Sequence, residues 1–172
     1  MIDQAEVYEI EPIPDEDSIS RGCYLPNGID PESIFPFPSN KITGERAESV
    51  YWRKYARTIE SVHERGCKRA DIINERRSKK EQMFLEYIGA ITALVGTIRH
   101  IKTERGFSVA VNHLPEDGDR AHTHICVSEP TGADRVKFKS NDRRELVHML
   151  CSNSFGTLEK HSYSCQQTNN KE

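Results

Sequence analysis

The stretch SKKEQMFLEYIGAITALVGTIRHI, residues 78–101, decides the fold. It reads as a long core helix. Ser78 followed by Glu81 matches a capping box, in which the two side chains satisfy amides of the first turn. Phe84, Tyr87, Ile88, Ile91, Leu94, Val95, Ile98 and Ile101 then recur at helical steps and make a broad apolar face. Gly89 and Gly96 lower helix propensity, so another backbone is expected to pass close to them. Gly106 ends the unit.

Upstream, Trp52, Tyr55, Ile59 and Val62 form a second stripe at three- and four-residue steps, which predicts a helix over 45–65 with Gly66 as its stop. Cys67 to Arg77 is too charged to be core, although Ile72 and Ile73 interrupt it. Downstream, 107–113 and 122–128 alternate as strands, and a turn at Pro130-Thr131-Gly132 precedes a third alternating run, Arg135 to Lys139. Asn141 or Asp142 caps a helix through about Cys151. The expected class is α+β, with two long helices and a shorter C-terminal helix packed on a small antiparallel sheet of about three strands. Six of the eight prolines fall within residues 1–43, spaced so that no helix or central strand is expected there. The expected organisation is an acidic, proline-rich, partly packed arm (1–43), a single domain (44–160) and a polar tail (161–172).

Composition bounds the function classes. At 172 residues the chain suits one ordinary domain. Its mean hydropathy is −0.70. The most apolar run, Ile88 to Ile98, is about half of the roughly 18 residues a membrane span needs. The N-terminus carries neither a basic start nor an apolar segment, so a cytoplasmic protein without a membrane partner is expected. The five cysteines are odd in number and never form Cys-x-x-Cys, which predicts free thiols. The net charge of −3 hides an asymmetry. Residues 1–40 hold nine acidic side chains against one basic, and residues 41–80 hold twelve basic against six acidic. Either the arm lies across the basic segment, within one molecule or in a dimer, or the Arg65–Lys80 region contacts nucleic acid. No aromatic side chain interleaves that basic run, so phosphate-backbone contact is the most it implies.

The chemistry-bearing feature is a histidine hairpin. If Asp117-Gly118 centres the turn, His113 stands opposite His122 and Val111 opposite His124, so three imidazoles share one face. His113, His122 and His124 would then supply three nitrogens to zinc or another divalent metal, leaving a position for water. Glu116, Asp117 and Asp119 in the loop are candidates to orient a ligand, serve as a base or supply an oxygen ligand. A metal-free version uses the histidines as acid and base, with Arg120 stabilising negative charge. The register is the weak link, because a one-residue slip exchanges the faces. The His122-x-His124 pair is superficially similar to the metal pair of rolling-circle nucleases. Thr123 stands where those enzymes carry a hydrophobic residue, and the candidate Tyr163 lies in the polar tail, so no membership follows. His63-x-x-x-Cys67 and His161-x-x-x-Cys165 repeat one spacing that suits a closed zinc site, although Gly66 interrupts the first pair. Two functions are therefore expected in competition. One is a protein-interaction module that contacts another protein or its own copy, and the other is a small nuclease or phosphoester hydrolase centred on the histidines.

Overall fold

The structure is a computed structural model, and it describes residues 7–26, 30–41, 43–116, 118–132 and 136–162. Among these residues six strands form one antiparallel sheet: β1 (Ser18–Leu25), β2 (Ala47–Trp52), β3 (Glu86–Leu94), β4 (Ser108–His113), β5 (His122–Ser128) and β6 (Glu159–Lys160). Their order is β4-β5-β2-β1-β3-β6. The helices are α1 (Pro31–Ile34), α2 (Ile59–Ser78), α3 (Val95–Arg99) and α4 (Ser140–Met149), the last running into a π-helical turn, Leu150–Ser154. No helix among the described residues is long and apolar enough to cross a membrane. The mixture is α+β, but the expected three-stranded sheet with two long helices is corrected.

The decisive stretch is mostly strand. β3 sits between β1 and β6, with Tyr87 and Ala90 packed toward α2 and Ile91 and Ala93 toward the opposite core. A strand buried on both faces shows no polar alternation, and its unbroken apolar run imitates a helix face. The two glycines do mark close backbone approaches, although on a strand and a short helix. A Cβ on Gly89 would lie 2.2 Å from the Glu159 carbonyl oxygen, and one on Gly96 would lie 3.1 Å from that of Asp15.

The upstream helix is displaced rather than absent. Trp52 ends a strand, a turn follows in which the amides of Tyr55 and Ala56 reach the Trp52 carbonyl, and α2 begins only at Ile59. Thr58 caps it, its hydroxyl accepting the Ser61 amide at 3.2 Å. Gly66 is not a stop. A Cβ there would lie 2.2 Å from the Tyr87 ring, so glycine lets the helix lie close on the sheet. The helix ends instead at Ser78, and Glu81, expected at a helix start, adopts a positive φ of 52°. The amides of Glu81 and Gln82 close the helix end on the carbonyls of Ser78 and Arg77.

The arm contributes a central strand. Pro14 and Pro26 bracket β1, so the prolines punctuate the chain without excluding a strand between them. The far face of the sheet is covered by Ile13, Phe35 and Phe37 of this region, together with α3, α4 and Phe155. Arm carboxylates pair with Lys54 and Arg120 through Glu11, with Arg99 through Asp15, and with Arg143 and Arg144 through Glu32. None of these pairs reaches the Arg65–Lys80 segment.

At the C-terminal end, residues 136–139 carry no strand pairing, and Val136 and Phe138 pack on the core. Arg135 lies outside the described residues. α4 occupies the expected place, with Asp142 in its first turn accepting the Lys139 amide at 2.7 Å. Cys23, Cys126 and Cys151 are free thiols, whereas Cys67 is disulfide-bonded, against the expectation of thiols throughout. Tyr163, Cys165 and the rest of the tail lie outside the described residues.

Candidate functional site

The hairpin has the expected turn and a different register. Glu116 and Asp119 pair across the turn, with Gly118 at a φ of 71°, while Asp117 lies outside the described residues. That pairing alone would set His113 opposite His122. The return limb through Arg120 and Ala121 instead carries one extra residue, and His113 pairs with Thr123 and Asn112 with His124. The Asp119 carboxylate, held by Arg65 at 2.9 Å, accepts the Ala121 amide at 3.1 Å and so supports the irregularity. One additional residue in one strand exchanges the faces of everything beyond it.

The three histidines consequently do not share a face. His113 lies with Val109, Val111 and Ile125 on the main core side and is 2% exposed. Both its nitrogens are engaged: Nε2 donates to the Arg120 carbonyl at 2.8 Å, and Nδ1 accepts the Glu11 amide at 3.1 Å. Its ring packs on Trp52 and Tyr55. Arg120 is on this side too, 4.4 Å from the Tyr55 ring centroid and ion-paired with Glu11. Hydrogen bonds from Lys54, Tyr55 and Arg120 pull the Glu11 carboxyl down to about 2.

His122 and His124 lie on the opposite face, under α2. β2 brings Tyr51 beside His122 and Ser49 beside His124. His122 Nδ1 donates to the Leu114 carbonyl at 2.7 Å, which leaves Nε2 as an acceptor in the neutral ring. That nitrogen meets the Ser49 hydroxyl at 3.2 Å and lies 3.4 Å from Glu116 Oε1. The His124 ring stands 4.9 Å from that of His122, and its Nδ1 is buried without a hydrogen-bond partner. Burial first, and then the neighbouring His122, push the His124 pKa down.

Above His122 runs the basic side of α2. Arg65, Lys68, Arg69 and Arg76 line a cleft of about 590 Å³ together with Tyr51, Glu116, Asp119 and His122. Arg65 is neutralised by Asp119. Among the described residues Lys68, Arg69 and Arg76 form no ion pair. The cleft therefore joins two features that are far apart in the sequence, the basic run and part of the histidine hairpin.

Of the candidate residues, His122, Glu116 and Asp119 line this cleft, His124 stands behind His122, and His113 and Arg120 are elsewhere. Among the described residues no group of three or more His, Cys, Asp or Glu side chains surrounds a common metal position. Ser49 and Tyr51 escaped sequence reading because their strand imitated a helix. The alternation of Glu48, Val50 and Trp52 with Ser49 and Tyr51 was the signal that would have found them. No known family model, curated protein or solved structure matches this chain.

Proposed function

We propose that this cleft binds a phosphorylated ligand and that the protein is a small phosphoester hydrolase, a nuclease if the ligand is a polynucleotide. The observation that carries this reading is the placement of three unneutralised cations, Lys68, Arg69 and Arg76, over one imidazole whose tautomer a backbone carbonyl sets. Cations fixed on one helix hold phosphate oxygens and stabilise the charge that develops during transfer. His122 Nε2 takes a proton from the attacking water as its oxygen bonds to phosphorus and the P–O bond to the leaving group breaks; the leaving oxyanion departs into solvent or is protonated there, and Glu116 stabilises the resulting imidazolium. Among the described residues, the arm carboxylates that form ion pairs, Glu11, Asp15 and Glu32, do so with cations outside α2, and Lys68, Arg69 and Arg76 carry no such partner.

The test uses fluorescein-labelled single-stranded RNA for binding and bis(p-nitrophenyl) phosphate for turnover. Arg69→Glu combined with Arg76→Glu weakens RNA binding and flattens its salt dependence. His122→Ala leaves RNA binding in place and lowers turnover by at least about 100-fold. Binding that ignores the charge reversal, or turnover that survives His122→Ala, would sink the reading.

The second reading is protein interaction, supported by Met83 and Phe84. They are 70% and 51% exposed on the loop that returns from α2 to β3. Such apolar side chains at an accessible loop suit contact with another protein or a second copy of this chain.

A further inference from the structure

We propose that the basic cleft takes a single-stranded polynucleotide by its end, and that the protein is an exonuclease releasing one nucleotide at a time. The inference rests on the hydrolase reading and names the substrate for that same cleft. It starts from the order of charges along α2. Arg65, Arg69, Ile72 and Arg76 recur at three- and four-residue steps and so form one stripe facing the cleft. Lys68, Arg69 and Arg76, which form no ion pair among the described residues, all lie C-terminal to Arg65 on that helix. The acidic side chains of the cleft gather at its other end: Glu64 precedes Arg65, Asp119 pairs with Arg65, and Glu116 stands 3.4 Å from His122. A polyanion is drawn along the first part and repelled beyond the second.

The acidic end is also bridged. Arg65 Nε donates to Asp119 Oδ1 at 2.9 Å and joins the helix to the hairpin turn. Both partners are held, because the guanidinium also donates to the Ser61 carbonyl at 3.1 Å and the carboxylate accepts the Ala121 amide at 3.1 Å. His122 is tied to the same bridge through its amide, which donates to the Asp119 carbonyl at 3.2 Å. Tyr51, its neighbour on β2, donates its hydroxyl to the Arg65 carbonyl at 3.4 Å. The imidazole therefore stands at the bridge, whereas Arg76 lies about three turns further along α2, about 16 Å at ~1.5 Å per residue. A strand lying on the cations brings its last phosphodiester to His122 and meets the bridge and the carboxylates beyond it. Ile72, 46% exposed between Arg69 and Arg76, offers apolar surface to a base. A cleft of about 590 Å³ has the scale of a small ligand, so it admits the end of one strand and excludes a duplex.

Water is the co-reactant. Its oxygen bonds to the phosphorus of the terminal phosphodiester as His122 Nε2 takes its proton. The P–O bond to the neighbouring nucleoside breaks, the departing oxyanion takes a proton from solvent, and the imidazolium returns its own to solvent. The products are one mononucleotide and a strand shorter by one unit, whose new end enters the same position.

The test compares a linear oligouridylate of about ten nucleotides with the same strand closed into a circle, both incubated with the full chain and resolved by length. The expected result is a ladder of shortening strands and mononucleotide from the linear form, with the circle left intact. Arg65→Ala combined with Asp119→Asn removes the bridge and one carboxylate while keeping an acceptor for the Ala121 amide, and this variant is expected to cut the circle. Wild-type cleavage of circle and linear strand at equal rates overturns end entry and leaves the hydrolase reading standing. A variant that still shortens the linear strand but spares the circle overturns the role of the bridge. Turnover of bis(p-nitrophenyl) phosphate with linear RNA untouched overturns the polynucleotide substrate alone. If both survive, the hydrolase reading fails and end entry falls with it. The wild-type comparison decides whether or not the double variant folds.

Discussion

His113 and His122 belong to adjacent strands of one hairpin, yet the two faces of the sheet use them in opposite ways. On the side of α3 and α4, His113 is wedged between aromatic rings, with each nitrogen committed to a backbone group. On the side of α2, His122 is anchored through one nitrogen and turns the other toward a hydroxyl, a carboxylate and a basic cleft. An imidazole with both nitrogens bound to backbone is a structural pin. His122, at 3% exposure nearly as buried, instead turns its second nitrogen to the side chains of Ser49 and Glu116 at the wall of the cleft, the placement that the proposed proton transfer requires. The difference lies in face and surroundings, since the residue type is the same.

The contrast is open to attack from both sides. The largest effect is expected on the main core face, where Glu48 accepts the Phe37 amide at 2.7 Å and pairs with Arg21 at 2.8 Å. Burial pushes the Glu48 carboxyl up despite that arginine, a sign of how costly charge is there. Glu48→Ala leaves the guanidinium without its carboxylate, and chemical denaturation is expected to show a loss of about 3–5 kcal/mol. His113→Ala comes next, with about 2–4 kcal/mol from lost packing and two orphaned backbone groups. His122→Ala should cost only about 1–2 kcal/mol in the same assay. If the two histidine variants destabilise equally, the distinction between pin and proton carrier collapses.

The smallest effect is a pH dependence on the α2 face. The His124 pKa lies below the ordinary imidazole value of 6.5. Its contribution to stability is therefore complete above 6.5 and declines as pH falls through the lowered folded value, because the unfolded chain takes up the proton first. Urea midpoints measured down this range should fall more steeply for wild type than for His124→Gln. Parallel curves would show that burial of His124 carries no such coupling.

Much of the hairpin was legible in the sequence. Both strands, the turn and the end of β5 follow from alternation and from the Asp-Gly pair. What escaped was the extra residue between Asp119 and His122, which has no local signature and is held by Arg65 from a distant helix. The long elements failed for a different reason. β3 is buried on both faces and so lost its period of two, while the aromatic side chains of β2 and its following turn happened to fall at helical intervals. Gly66 was read by propensity as a stop, but it is there for the Tyr87 ring.

The amino-acid order by itself determined a mixed α+β chain, a histidine hairpin, a basic segment and a twice-repeated His/Cys spacing, because these depend on composition and on neighbours a few residues apart. Tertiary structure alone decided which histidine faces which layer, that the basic helix overhangs His122, and that His161 meets His63 and Cys67. Those facts depend on register and on close approach between distant segments, and a single added residue or a missing Cβ sets them.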